Sequence, residues 1–342
     1  MTAERILIVG PSWVGDMVMA QSLCIDLKQR QPTSELHMLA PAWTSALVDR
    51  MPEINSLIAA DFKHGRLHLG ERRRVARELR DLKFDQAIVL PNSLKSALVP
   101  FLARIPRRTG WLGEQRWGLL NDVRRLDKKR WPMTVQRFVA LGRAPNEEPM
   151  AVDQIPIPQL ALSSDSNAML ASFGLTADSP VLALCPGAEF GASKQWPERH
   201  YAQLAQDYLD QGWQVWLLGS TNDAASCARI NSATNEQCFD LSGRTTLPQA
   251  VDLLAQTALV VSNDSGLMHI AAALNRPLVA IYGSTDPGHT PPLSLNHRIA
   301  RLGLSCSPCF KRECPLEHLR CLNDLTPDAV QQQAQVLVAE VS

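Results

Sequence analysis

The sequence predicts an α/β chain of two doubly wound domains, each a parallel sheet with helices on both faces. Three observations carry this. The chain has 342 residues, too many for one ordinary hydrophobic core and enough for two. Short apolar runs alternate with amphipathic stretches in both halves. A break with little periodicity, Ala144–Pro158, carries Pro145, Pro149, Pro156 and Pro158 and separates the halves. The expected domains are 1–155 and 156–325. A C-terminal helix over 326–342 could pack back on the first domain.

The elements follow in order. Ile6–Val9 reads as a strand and Met17–Arg30 as a helix; Glu35–Leu39 is strand-like and Ala42–Arg50 helical. Gln86–Leu90 is a further strand, followed by a helix over Ser93–Ala103. After the break the alternation restarts, with strands at Val181–Cys185, Val215–Leu218, Leu259–Ser262 and Leu278–Tyr282. Helices are expected at His200–Gln211, Leu247–Ala255 and Gly266–Leu274, and the last at about Asp328–Val341.

Composition narrows the class. Apolar residues make up 45% and charged residues 20%, as in a globular chain. The net charge of zero argues against a general nucleic-acid binder. It hides an asymmetry: Asp61–Arg130 holds 18 Lys or Arg against 8 Asp or Glu. Such a run is a solvated helix face, or a basic face toward phosphates or an anionic membrane. No apolar stretch is long enough to predict a membrane-spanning helix. The N-terminus runs straight into the first strand, so no signal peptide is expected and the location is read as cytoplasmic. Of eight cysteines, Cys24, Cys185, Cys227 and Cys238 are scattered. Cys306, Cys309, Cys314 and Cys321 cluster at a spacing that fits a structural zinc site or a packing motif of reduced thiols.

In open α/β sheets, ligands bind beyond the carboxyl ends of the strands, so the chemistry is sought in the loops there. Gly10-Pro-Ser-Trp-Val-Gly-Asp16 opens a helix but is neither a G-x-G-x-x-G fingerprint nor a phosphate loop ending in Gly-Lys-Ser/Thr. Asp16 is a helix N-cap or a general base on a substrate hydroxyl. Ser12 in the same loop is a candidate for the acceptor side. The loop Cys185–Pro197 offers glycines, Glu189 and Lys194, whose ammonium suits a phosphate. Ser262-Asn-Asp-Ser-Gly-Leu-Met-His269 joins a strand to a helix whose first amides suit an anion. Asp264 there could accept from sugar hydroxyls, and His269 is either a donor contact or a structural histidine. Asp223 could bind ribose hydroxyls, and the loop at Thr245 could face a base edge. In the first half, Asn92 and Lys95 follow a strand. No Asp-x-Asp occurs, so Lys194 and helix-start amides would have to neutralise a diphosphate leaving group.

Assembled in order, these pieces resemble the ADP-heptose:lipopolysaccharide heptosyltransferase II family. The resemblance rests on Gly10–Met19, Leu90–Pro100, Arg108-Thr-Gly-Trp111, Gly118–Val123, Cys185–Gly191 and Ser262–His269, and runs along most of the chain. It implies a GT-B fold, two Rossmann-like domains facing across a cleft, with the donor held mainly by the second. It implies ADP-L-glycero-β-D-manno-heptose as donor and the first heptose of heptosyl-Kdo2-lipid A as acceptor. The reaction would be inverting, with no cofactor needed for the chemistry. The resemblance makes Asp16 the base, places Lys194 on the diphosphate, and puts Asp264, Ser265 and Gly266 on phosphate and heptose. An acceptor of this kind also implies peripheral contact with the inner leaflet of the inner membrane. The competing readings are a heptosyltransferase acting at another core position and a non-catalytic two-domain sugar-binding protein. An NAD-dependent enzyme lacks its glycine fingerprint in both halves.

Overall fold

Runs such as Ile6-Leu7-Ile8-Val9 and Leu259-Val260-Val261 carry no polar side chain, so as strands they must be covered on both faces. The computed structural model, which describes residues 3–62, 67–162, 166–176 and 178–341, does this twice. The chain divides into two units, Met1–Ala161 and Leu162–Ser342. Residues 63–66 of the basic stretch and the outermost terminal residues lie outside the described ones.

The first unit runs β1 (Arg5–Val9), α1 (Val14–Arg30), β2 (Glu35–Ala40), α2 (Ser45–Val48), β3 (Ser56–Ala59), α3 (Leu69–Asp81), β4 (Gln86–Val89), α4 (Leu94–Leu102), β5 (Arg107–Trp111), β6 (Asp122–Arg124) and α5 (Thr134–Leu141). Its six strands are parallel in the order β3-β2-β1-β4-β5-β6. β1 and β4 lie side by side, in register from Ile6 opposite Gln86 to Val9 opposite Val89. The buried carboxylate of Asp26 on α1 takes Arg30 at 2.9 Å and Arg143 at 2.6 Å, fastening α1 to the chain after α5.

The second unit runs α6 (Ser166–Ser172), β7 (Val181–Cys185), α7 (Glu198–Leu209), β8 (Gln214–Leu217), α8 (Ala224–Ala233), β9 (Phe239–Asp240), α9 (Leu247–Ala255), β10 (Leu259–Asn263), α10 (Gly266–Ala273), β11 (Leu278–Ile281), β12 (His297–Ala300), α11 (Arg320–Asn323) and α12 (Pro327–Val341). The sheet order is β12-β11-β10-β7-β8-β9, again all parallel. Numbered from its own first strand, it repeats the winding of the first sheet, the doubly wound order of a dinucleotide-binding fold.

Two expected boundaries differ. The division falls after Ala161, not after residue 155. The reason is Gln21 of α1, which donates to the Gln159 carbonyl at 2.7 Å and accepts from its amide at 3.0 Å. Ser22 donates to the Pro156 carbonyl, and the Ala161 amide to Arg50. The proline-rich segment is therefore bonded into the first unit. The C-terminal helix α12 packs on β11, β12 and α7 of the second unit, with Val330, Ala334 and Leu337 in that unit's core. The expectation allowed it to pack back on the first domain; its apolar face is instead used within its own unit.

Candidate active site

The strand order places a switch point in each sheet, where neighbouring strands lead to helices on opposite sides and loops diverge to leave a crevice. In the first unit it lies between β1 and β4, and in the second between β7 and β10. Four of the loops read as chemical in the sequence follow these strands; those of Asp223 and Thr245 follow β8 and β9.

In the first unit, α1 begins after Trp13, which is its N-cap; Asp16 is the third helical residue. The N-cap alternative for Asp16 is thereby removed: it stands half-buried in the first turn. Ser12 is exposed beside it. Beyond β4, the segment Pro91–Ser96 is held by Arg116, a fully buried arginine that the sequence reading passed over. Its guanidinium donates to the carbonyls of Pro91 (2.6 Å), Ser93 (3.2 Å) and Trp111 (2.6 Å) and to the Ser96 hydroxyl (3.0 Å). It also approaches Asn92 Oδ1 at 3.4 Å, so Asn92 helps to position this loop. A cavity of about 330 Å³ opens at the switch point, and Ser12, Lys95, Phe62, Arg72 and Glu114 are among the residues that line it.

The motifs Arg108–Trp111 and Gly118–Val123 bond within the unit. Arg108 donates to the Leu119 and Ile105 carbonyls. Asn121 accepts from the Arg108 amide, Thr109 donates to Asp122, and Trp111 donates to the Arg137 carbonyl.

In the second unit, Lys194 Nζ lies 2.7 Å from Asp264 Oδ2 and 3.3 Å from the Asp264 carbonyl. The same Oδ2 accepts from the Thr285 hydroxyl at 2.6 Å. Asp264 is 4% exposed, and α10 starts two residues on, with Ser265 as N-cap and Gly266 as first residue. The Ser265 side chain makes no capping bond, so the first amides of the helix keep the polarity that favours an anion. Asn263 locks the two loops together. Its Oδ1 accepts from the Trp196 amide (3.1 Å) and the Tyr201 hydroxyl (3.0 Å), and its Nδ2 donates to the Pro186 carbonyl (2.6 Å). Gly191, at φ 149°, lies where a Cβ would stand 2.5 Å from the Arg312 carbonyl, so the loop before Lys194 admits only glycine. Phe190 sits under both Lys194 and Arg312, at 5.1 and 5.3 Å from its ring centre.

The remaining donor candidates divide. His269 is buried one turn into α10, and desolvation pulls its imidazole down to about 4, against the opposing pull of Asp264. It is therefore a neutral ring at physiological pH. Asp223 closes its own turn, accepting from the Ser220 amide and hydroxyl, and abuts Gly187, where a Cβ would stand 2.4 Å away. Glu189 is exposed and accepts from Asn222. Thr245 is half-buried and precedes the true N-cap of α9, Thr246, which forms a capping box with Gln249. Thr285 was missed in the sequence, yet it lies in the loop after β11, where the strand-end rule directs attention.

The cysteines Cys306, Cys309, Cys314 and Cys321 are free thiols around one small void of about 20 Å³. The backbone amides of Leu316 to Leu319 turn toward Cys314 and lower its thiol, whereas burial raises Cys321. Of the two readings of this cluster the arrangement here is that of reduced thiols: among the described residues no three His, Cys, Asp or Glu side chains stand together closely enough to hold a metal ion. The segment instead braces the Lys194 loop, through the Ser193 amide to the Arg312 carbonyl and the Ser193 hydroxyl to the Lys311 carbonyl.

The profile of glycosyltransferase family 9 (heptosyltransferase) matches residues 72–320. The chain is 46% identical over 347 residues to lipopolysaccharide heptosyltransferase 2 of Salmonella typhimurium, covering 98% of this chain and 99% of the relative. It is also 46% identical over 344 residues to the protein of that name from Escherichia coli K12, with the same coverage. The solved structure of E. coli ADP-heptose lps heptosyltransferase II superposes with a TM-score of 0.87 at 44% identity, covering 98% of this chain and 99% of that one. The chain therefore belongs to glycosyltransferase family 9, the heptosyltransferases, and is a glycosyltransferase of the GT-B fold.

Proposed function

We propose that this chain transfers L-glycero-D-manno-heptose from ADP-heptose to the first heptose of heptosyl-Kdo2-lipid A, in assembly of the lipopolysaccharide inner core. The observation that carries the donor half is the meeting of Lys194, Asp264 and Thr285 beside the uncapped start of α10. A cation and a set of helix-start amides suit a diphosphate, and a fixed carboxylate suits sugar hydroxyls. The names of the relatives that match over nearly the full chain support heptose as the group transferred and the second inner-core position as its destination.

In this reading the transfer is a single displacement. Asp16 takes the proton of the acceptor hydroxyl. The hydroxyl oxygen bonds to the anomeric carbon as the bond to the β-phosphate oxygen breaks, and that electron pair leaves on ADP. Attack from the face opposite ADP inverts the β donor to an α linkage. Lys194 and the amides at Ser265 and Gly266 stabilise the negative charge that builds on the leaving diphosphate. No step in this scheme needs a metal, and zinc on the four cysteines would serve only to brace the loop; metal analysis of the purified protein tests that.

Turnover of ADP-heptose with a one-heptose acceptor tests the function directly. Transfer only onto an acceptor lacking that heptose would move the activity to another core position. Asp16→Ala is expected to lower kcat by about 10²–10⁴, the usual worth of a general base. Near-normal turnover in a folded Asp16→Ala protein would end the base assignment. Among the described residues no helix is long and apolar enough to cross a membrane. We place the protein at the cytoplasmic face of the inner membrane by peripheral, salt-sensitive contact, which salt washing of membranes tests.

A further inference from the structure

The eight cysteines fall into two groups. Cys24, Cys185, Cys227 and Cys238 are buried, and burial raises their thiols, as in inert packing groups. Cys306, Cys309, Cys314 and Cys321 are half-buried and border one void of about 20 Å³. Among the described residues no three of them stand close enough to hold a metal ion, but a disulfide needs only two. Cys314 is set apart within the group. The backbone amides of Leu316, Glu317, His318 and Leu319 turn toward its sulfur, an arrangement that holds negative charge. Cys321, the second residue of α11, is held up by burial and then by Cys306, Cys314 and Cys309, so all three are within electrostatic reach of it. One activated thiol beside less reactive ones is the pattern of an attacking and a resolving cysteine.

The same void reaches the donor loops. Ser193 and Ser284 complete its lining, and they are the chain neighbours of Lys194 and Thr285. Their hydroxyl oxygens lie 3.0 Å apart. The Ser193 amide donates to the Arg312 carbonyl at 3.2 Å, and its hydroxyl to the Lys311 carbonyl. The Phe310 amide donates to the Ser284 carbonyl at 2.8 Å, and the Ser307 hydroxyl to the Gly283 carbonyl at 2.5 Å. Every one of these bonds joins segment 306–314 to the two loops that set Lys194 and Thr285 on Asp264.

We propose that Cys314 is the reactive thiol of an oxidation site, which a peroxide closes into a disulfide with another of the four cysteines, and that closure loosens the loop carrying Lys194. In the first step the Cys314 thiolate attacks one peroxide oxygen and the O–O bond breaks. The departing hydroxide takes the proton that the thiol had released and leaves as water. The second thiol then attacks the sulfenic sulfur of Cys314. The S–S bond forms, the S–O bond breaks, and the hydroxide leaves with that thiol's proton as a second water. Two thiols are thereby oxidised by two electrons and one peroxide is reduced to two waters. The new bond draws two sulfurs together across the void, and segment 306–314 moves with Cys314 away from Ser193. That the loosened loop holds a nucleotide rests on the donor reading above; the thiol chemistry does not.

The native full chain is treated with hydrogen peroxide at neutral pH, and its cysteines are mapped by mass spectrometry. Hydrogen exchange is followed at 190–195 and 283–285, and ADP affinity by calorimetry. A disulfide that includes Cys314 is expected. Exchange in both loops should quicken about fivefold and ADP should bind about fivefold more weakly, the worth of one hydrogen bond. Dithiothreitol should restore all three. Cys314→Ser should bind ADP like the reduced native chain and be unmoved by peroxide. If that variant fails to fold, iodoacetamide on the reduced native chain replaces it: Cys314 should be capped about tenfold faster than Cys306, Cys309 or Cys321, and the capped chain should form no disulfide. The proposal is overturned by a disulfide that omits Cys314, by none at all, by unchanged exchange in both loops, or by zinc on the four thiols of the purified chain. A chain whose loops loosen on oxidation but which binds no ADP in either state overturns the donor reading and leaves the oxidation site standing.

Discussion

Thr285 and Lys194 meet on one oxygen of Asp264, which gives the donor half its sharpest single-residue handle. Removing the hydroxyl in Thr285→Val leaves Asp264 with one partner and loosens the carboxylate. Donor KM is expected to rise about tenfold, equivalent to roughly 1.4 kcal/mol, with acceptor KM unchanged and Thr285→Ser close to native. Steady-state kinetics in both substrates checks this. His269 makes a pH statement. Its ring falls from the usual 6.5 to about 4 on burial. The folded value lies below the unfolded one, so the protein binds fewer protons when folded. The stability this residue contributes is complete above pH 6.5 and is lost as pH falls toward 4. Urea unfolding of His269→Gln should therefore show a shallower acid loss across that window, by roughly 3 kcal/mol at most. At this scale the sequence pointed to Asp16, Lys194 and Asp264, because each follows a strand and carries a charge. It did not reveal Arg72, Arg116, Asn263 or Thr285. The first two sit among many arginines in a basic stretch, and only the burial of these two sets them apart from a solvated face. The other two act by hydrogen bonds that no spacing rule encodes.

Elements explain why those residues stay where they are. Asn263 ends β10 and ties it to the loop that carries Lys194 through two bonds and to Tyr201 of α7 through a third, all to groups with little access to water. Asn263→Ala would leave the buried Trp196 amide and Pro186 carbonyl without this partner, and the Tyr201 hydroxyl with only the Cys185 carbonyl at 3.4 Å. It is expected to cost roughly 3–5 kcal/mol of stability, read as a lower urea midpoint at unchanged slope. The strands legible beforehand were β1, β2, β4, β7, β8, β10 and β11, chiefly the inner ones, because a strand covered on both faces must be nearly all apolar. The others were passed over for a physical reason. β5 begins Arg107-Arg108, β6 and β9 are three and two residues long, and β3 and β12 are partly exposed edges. Edge and short strands carry polar residues and leave no apolar run to find. Helix α3 was seen only as a charge run, although Arg72, Val75, Ala76 and Leu79 form its buried face.

At the level of the whole molecule, two units repeat one winding, and each carries one switch point with its own set of groups. The division into two was legible from length and prolines, but its place was not, since Gln21 reads backbone groups that any sequence would present. The C-terminal helix completes the second unit. Truncation after Thr326 would strip Val330, Ala334 and Leu337 from that core. Roughly 4 kcal/mol or more should be lost from the second unit, with the first unaffected. Hydrogen exchange followed along the chain should show protection falling in β11, β12 and α7 and holding in β1 and β4. Arg116 has a consequence for how the whole enzyme responds to its medium. The loop Pro91–Ser96 is moored by a cation whose acceptors, three carbonyls and a hydroxyl foremost among them, carry no charge. Burial lowers that cation to about 10, still beyond any pH at which such an enzyme works. The mooring has no proton to gain or lose on the acid side, and among the described residues its bonds are to uncharged acceptors, with Glu114 acting on it only at a distance. An acid limb in the rate profile would therefore report groups that touch the substrates, rather than a slackening of the loop.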